Sequence, residues 1–220
     1  MLTISEQLLE RFCDVKGIRW ERIPESTRRL ADYKIWLGAT LVIVEVKQLD
    51  LNKEDKALIR AAQSGDEIPS DFRTTGNIRV RNAIDNAYPQ LKNAAKVHYP
   101  AILIIHDNTL GLSHLGYDDI LNAMYGDETV TIRWPEQEPA KAKIVAHRFG
   151  GNRRVTRNSY RALSGIGLLQ TETTEHITVD FFHNVHAERC LDSRLASSIM
   201  KRQFTVVDTE NYRGWKEITR

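Results

Sequence analysis

Asp32-Tyr33-Lys34-Ile35-Trp36-Leu37-Gly38-Ala39-Thr40-Leu41-Val42-Ile43-Val44-Glu45-Val46-Lys47 is the stretch on which the reading of this chain turns. Two runs of aromatic and β-branched residues flank the short break Gly38-Ala39, which is the pattern of a hairpin. The second run is almost continuously apolar, as suits a strand covered on both faces in the middle of a sheet. Yet it ends in Glu45 and Lys47. Side chains two apart on a strand leave the same face, so a carboxylate and an ammonium stand side by side. Asp32 opens the first strand, and pairing of the hairpin brings its carboxylate towards Glu45.

Two carboxylates at one end of a sheet repel each other unless a cation lies between them. Hard oxygen ligands of this kind favour Mg2+ or Mn2+. A divalent ion there can polarise a phosphate, help generate hydroxide and offset transition-state charge. Lys47 is placed to orient the attacking water or stabilise that charge.

Outward from the hairpin, Thr3-Ile4-Ser5-Glu6 is a capping-box pattern, and Ile4, Leu8 and Phe12 recur four apart, which predicts a helix over 4–14 ending near Gly17. Glu6 and Glu10 share a face of it and offer a further acid for the site, with Glu10 preferred. From Leu49 to Gly76 the chain is polar and acidic, with Gly65, Pro69 and Gly76 as breakers, and reads as a partly helical excursion or loop. Val80, Ile84, Ala87, Leu91 and Ala94 predict a helix over 79–97, which Pro89 should kink or divide. Ala101 to Ile105 is a short buried strand before the turn residues His106-Asp107-Asn108. Beyond lie a short helix at 117–125 and strands near 129–134, 142–148, 163–170, 175–183 and 203–208, read as a lobe packed on the preceding core.

Asp32, twelve residues, then Glu45-Val46-Lys47 resembles the active-site signature of the PD-(D/E)XK, or restriction-endonuclease-like, nuclease superfamily, with Ala31 where the nominal proline stands. The resemblance covers residues 4–106 and implies an α/β (α+β) fold, an αβββαβ core whose mixed central sheet is flanked by helices, here followed by a β-rich C-terminal extension. It implies that Asp32, Glu45 and the carbonyl of Val46 hold Mg2+ or Mn2+, that Lys47 serves catalysis, and that Gln90, on the helix after the motif strand, joins the site. The three-residue motif alone is not specific, since Asp14-Val15-Lys16 and Glu54-Asp55-Lys56 match it too. Only the copy at 45–47 lies on an apolar strand, where burying charges costs several kcal/mol per ion unless pairing or function compensates. The competing reading is an ordinary Glu45–Lys47 ion pair at a sheet edge.

Composition narrows the class. With 220 residues, 41% hydrophobic and 27% charged, the chain can bury a sizeable core. It lacks a transmembrane run and a secretory layout, so a cytoplasmic location is expected, and Cys13 and Cys190 are expected to be reduced and not catalytic. The net charge of +2 hides an acid-free stretch from Pro139 to Thr171 that carries Lys141, Lys143, Arg148, Arg153, Arg154, Arg157 and Arg161. Such a stretch suits a phosphate backbone, although a solvated basic face is the plainer alternative. Arg79 and Arg81, near a helix start, are further phosphate candidates. His176, His183, His186 and Cys190 have zinc-ligand chemistry without a zinc spacing. Trp20, Trp36, Trp134 and Trp215 are scattered, as core residues would be.

The expectation is a Mg2+-dependent nuclease cleaving nucleic acid, DNA rather than RNA. Its core spans 1–108 and a C-terminal extension spans 109–220, with homodimerisation as a route to duplex cleavage. The rival expectation is a catalytically inactive nucleic-acid-binding or protein-interaction module that keeps the nuclease fold.

Overall fold

The computed structural model of the chain describes residues 2–24, 30–65, 76–95, 98–109, 115–134, 142–171, 176–209 and 212–219. Pro69, Lys141 and the side chain of Arg148 lie outside the described residues. The elements run α1 (Ile4–Val15), β1 (Arg19–Arg22), β2 (Tyr33–Leu37), β3 (Thr40–Leu49), α2 (Lys53–Gln63), α3 (Gly76–Ala95), β4 (Ala101–Asp107), α4 (Tyr117–Tyr125), β5 (Asp127–Arg133), β6 (Lys143–Gly151), β7 (Gly165–Thr171), β8 (Ile177–His183), α5 (Ser193–Ser197), β9 (Arg202–Asp208) and β10 (Arg213–Glu217).

Eight strands form one mixed sheet in the order β1-β2-β3-β4-β7-β8-β9-β10, with β3-β4-β7 and β8-β9 parallel and the other pairs antiparallel. The hairpin β2–β3 closes through Gly38-Ala39, with Leu37 paired to Thr40 and Gly38 at φ +60, a value at which glycine carries no Cβ penalty. Along β3 the side chains alternate between two cores. Val42, Val44 and Val46 pack with Leu9, Phe12 and Cys13 of α1, whereas Ile43 and Leu49 pack with Val80, Ile84 and Leu91 of α3 and Ile120 and Met124 of α4. A helical layer therefore covers each face of the sheet.

The sheet does not stop at the boundary expected near residue 108. β7 to β10 continue it beyond β4, and α4 shares its core with α3, so the C-terminal half is built into the central sheet and is not a lobe lying against it. Among the described residues, β5 and β6 form a separate two-stranded ribbon. β1, α5 and β10 escaped the sequence reading. β1 is a four-residue edge strand, Arg19-Trp20-Glu21-Arg22, charged at three positions and without an apolar run, and α5 and β10 are five residues each, too short to show a period.

Three local expectations are corrected. On α1 the capping box forms as predicted, but the buried face is Ser5, Leu9, Phe12 and Cys13, leaving Ile4 exposed. α3 is one helix running through Pro89, so the proline does not divide it. Proline removes a single hydrogen bond, and the full burial of Ile84, Ala87 and Leu91 on either side outweighs that loss. Trp134 is exposed beside the ribbon, whereas Trp215 packs against the core and donates to the Tyr117 carbonyl.

Candidate active site

The hairpin register sets Tyr33 across from Val44, so one step further Asp32 faces Glu45. The Asp32 amide donates to the Val44 carbonyl at 3.1 Å, which keeps that step in register. Residues opposed across an antiparallel pair share a face. Glu45 and Lys47 leave β3 on the face that carries Ile43, beneath α3. Asp32 is held by its own neighbour strand, its Oδ2 accepting from the Val46 amide at 2.8 Å.

Glu45 is only 1% exposed. Its Oε1 accepts from Lys47 Nζ at 2.6 Å and from Gln90 Nε2 at 3.0 Å, while its Oε2 is buried with no hydrogen-bond partner. Gln90 Oε1 is a second buried acceptor without a donor. Burial first, and the Asp32 charge second, push the Glu45 carboxyl up to about 7, against the opposing pull of Lys47. Asp32 is also raised, chiefly by burial and further by Glu6, although the Val46 amide and Lys47 pull it back. Two acidic groups and two orphaned acceptors thus meet beside a single lysine, with Arg22 acting on Asp32 from farther off.

Helix α1 frames this place. Ser5 ties the start of the helix to β3 and β4, its Oγ lying 3.1 Å from both Gln48 Oε1 and His106 Nδ1. Glu6 receives Arg22 at 2.9 Å and the Thr3 amide at 2.7 Å, and its charge reaches Asp32. Glu10 accepts the Tyr33 hydroxyl at 2.7 Å. Both helix acids are engaged by protein donors, Glu10 by Tyr33 and Glu6 by Thr3 and Arg22, and Glu6 is the one whose charge is felt at Asp32.

The arginines divide. Arg79 lines a cleft beside Lys47 and donates to the Asp50 carbonyl at 2.6 Å. Arg81 is buried and paired with Asp127 and the Asn122 carbonyl, so its guanidinium fastens α3 to α4 and β5 and is not presented to a ligand. Arg154 grips Asp85 through two bonds of 2.7 and 2.8 Å, which assigns it to the same structural work. Arg153 and Arg157 are exposed and both act on His186, whose pKa burial and these two cations lower.

Among the described residues no group of three or more His, Cys, Asp or Glu side chains is gathered to hold a metal ion. His183 bonds Gln203 at 2.8 Å and Cys190 bonds the Ala187 carbonyl, which accounts for two residues of the suggested zinc set. Both cysteines are free thiols, and burial pushes Cys13 up to about 12, so it is not poised for nucleophilic chemistry. Among the described residues no helix is long and apolar enough to cross a membrane. The sequence reading overlooked Asn82 and Asn86, which line the cleft beside Lys47; their spacing of four, continued by Gln90, was the available signal.

Comparison with protein-family models, with curated proteins and with solved structures gave no match to this chain.

Proposed function

We propose that this chain is a Mg2+- or Mn2+-dependent nuclease that hydrolyses phosphodiester bonds of nucleic acid, preferentially DNA, with a restriction-endonuclease-like core. The observation that carries the reading is the buried Glu45 carboxylate beside Asp32, with one oxygen left without any partner. A buried carboxylate oxygen without a donor is costly, and a strongly shifted acid flanked by a cation is a recognised mark of a functional site. The element order α1-β1-β2-β3-α2-α3-β4 supports the fold assignment, because two helical segments between β3 and β4 fill the helix position of an αβββαβ core.

The donor set fits a hard divalent cation: Asp32 and Glu45 supply carboxylate oxygens, the Val46 carbonyl stands on the strand between Glu45 and Lys47, and the orphaned Glu45 Oε2 has unused acceptor capacity. Such an ion supplies Lewis-acid polarisation of the phosphodiester and charge compensation. The protein's own groups do the rest. Lys47, held at 2.6 Å from Glu45 and partly exposed, presents an ammonium to the charge that grows on the phosphoryl oxygens or to the attacking water. The Val46 amide fixes Asp32, and Gln90 fixes Glu45, so neither carboxylate must reorganise during reaction. Cutting both strands of a duplex with one such site per chain calls for two copies, and a homodimer on DNA belongs to the proposal.

The deciding experiment incubates purified protein with plasmid, linear duplex, single-stranded and branched DNA and with RNA, with and without Mg2+. Metal-dependent cleavage that disappears in Glu45→Ala and Lys47→Ala supports the nuclease; cleavage untouched by these changes removes Glu45 and Lys47 from the chemistry. Calorimetry with Mg2+ and Mn2+ sets the nuclease against the rival binding module, which takes up neither ion at millimolar concentration.

A further inference from the structure

At the carboxyl end of β3, beside Lys47, a cleft of about 230 Å³ opens between the strand and α3, walled by Lys47, Asp50, Arg79, Asn82 and Asn86. Parallel strands β3 and β4 end here, the place where α/β sheets commonly receive ligands. Asn82 and Asn86 are exposed, one helical turn apart, and the next turn brings Gln90 onto Glu45. Arg79, Asn82, Asn86 and Gln90 therefore form one row on α3, about 16 Å long at 1.5 Å per residue, running outward from the carboxylates. The row spans more than one nucleotide of a strand, which rises about 3.4 Å per nucleotide in duplex DNA.

Resting on the nuclease reading of Asp32, Glu45 and Lys47, we propose that this cleft is the subsite for a phosphodiester flanking the one cleaved, with the Asn82 and Asn86 amides donating to its oxygens and Arg79 neutralising it. The walls favour a phosphate over a base. Lys47 and Arg79 contribute positive charge, and none of the described residues lining the cleft is aromatic, so no ring is offered for stacking. Among the described wall residues Asp50 is the one acid; it is exposed, and its Oδ1 accepts from Asn108 at 2.8 Å and Gln48 at 2.7 Å, which hold its carboxyl below the usual range, so the charge on Lys47 and Arg79 has to outweigh it. Arg79 is steadied by the Asp50 carbonyl, so its position does not depend on a ligand.

The proposal separates two substrates. A dinucleotide has only the phosphodiester that is cut, whereas a longer strand also fills the flanking subsite. Asn82→Glu with Asn86→Glu, and Asn82→Ala with Asn86→Ala, are exposed changes on a helix surface and leave Asp32, Glu45, Lys47 and Gln90 intact.

Binding is measured by fluorescence anisotropy on labelled oligonucleotides of several sequences, in a Glu45→Gln background that does not cut. The expected result is an affinity about tenfold or more lower for the double Glu variant, a smaller loss for the double Ala variant, and the same loss on every sequence. With Glu45 restored, turnover of the dinucleotide is expected to be unchanged. Oligonucleotide binding equal to that of the parent overturns the subsite and leaves the nuclease standing. A loss confined to sequences with one base overturns the phosphate assignment in favour of base readout, for which paired amides on adenine are suited. An equal loss on the dinucleotide also overturns it, because the row would then touch the scissile group. A parent chain that neither binds nor cuts nucleic acid overturns the site reading and this inference together.

Discussion

Helix α3 separates two charged clusters: in one the acids are met by donors, although Arg81 Nε is buried without an acceptor, and in the other an acid is left short. On one flank Asp85 receives Arg154 Nε and Nη2 and the Tyr160 hydroxyl at 2.5 Å, while Arg81 pairs with Asp127, and Tyr88 packs on Tyr160 with ring centroids 4.4 Å apart. On the other flank Glu45 is almost wholly buried, meets Asp32, and keeps an oxygen with no donor. Native structures pair their buried polar groups, and an exception calls for an explanation. The Asp85 cluster is explained by the fold, since it fastens α3 to the segment after β6. The Glu45 cluster gains nothing for the fold from its missing partner, and the proposed metal-dependent chemistry would give that oxygen a use.

The comparison breaks most sharply at catalysis. Glu45→Ala or Lys47→Ala is expected to lower single-turnover cleavage by about a thousandfold or more, the scale of removing a group that stabilises transition-state charge, with circular dichroism unchanged. Asp85→Ala is expected to leave the cleavage rate within about twofold. Equal losses on both flanks would show that α3 as a whole, and not the unsatisfied carboxylate, governs activity.

The second test is thermodynamic. The Glu45 carboxyl lies at about 7 in the folded chain against an ordinary 4.5. A raised acid contributes stability that is fully present below the ordinary value and is lost as pH climbs through the folded value. Metal-free protein should therefore lose up to about 3 kcal/mol from this group between pH 4.5 and 7.5, at 1.36 kcal/mol per unit. Glu45→Gln removes the burial of charge, so without metal it should unfold at higher urea than the parent at pH 8 and at similar urea at pH 4.5. Added Mg2+ should stabilise the parent at pH 8 and not the variant. A variant less stable than the parent at pH 8 would mean that the Lys47 pair outweighs the burial, making the cluster structural after all.

On the opposite flank the signs reverse. Asp85→Ala strips the acceptor from Arg154 and Tyr160, both partly solvated, and should destabilise by about 1–2 kcal/mol at neutral pH, read from urea denaturation. No gain in stability is expected at any pH, in contrast to Glu45→Gln.

What the sequence disclosed follows the same division. The site hairpin was legible because β3 is apolar on both sides and carries its charges only at one end, so Glu45 and Lys47 stood out against Val42-Ile43-Val44. β7, β8 and β9 were legible for the same reason, as apolar runs close to their true bounds. Their place was not, because the pairing of β4 with β7 crosses α4 and the ribbon, and nothing local in Ala101–Asp107 names its neighbour. The arginines show the limit most clearly. Arg81, Arg153, Arg154 and Arg157 are chemically alike in sequence, yet Asp127 and Asp85 claim two of them from elsewhere in the chain. The partners of Glu6 and Glu10 likewise were not legible, because Arg22 and Tyr33 are brought to α1 only by the folded sheet.

That partition of the arginines gives the smallest expected effect and the finest test of the comparison. If the acid-free segment grips a phosphate backbone, the work falls to the exposed Arg153 and Arg157, near His186. Each cation lost from a phosphate contact should weaken DNA binding by a few-fold and reduce the slope of log affinity against log salt by about one. Arg153→Ala with Arg157→Ala should therefore flatten the salt dependence uniformly over sequences without moving the unfolding midpoint. Arg154→Ala should do the reverse, lowering the midpoint through its lost Asp85 pair while leaving the slope as it was. Anisotropy titrations across a salt series, with urea melts on the same three proteins, resolve the two behaviours. A slope that changes with Arg154 and not with Arg153 and Arg157 would place the backbone on the α3 flank that the Asp85 cluster occupies, and would join the two clusters into one surface.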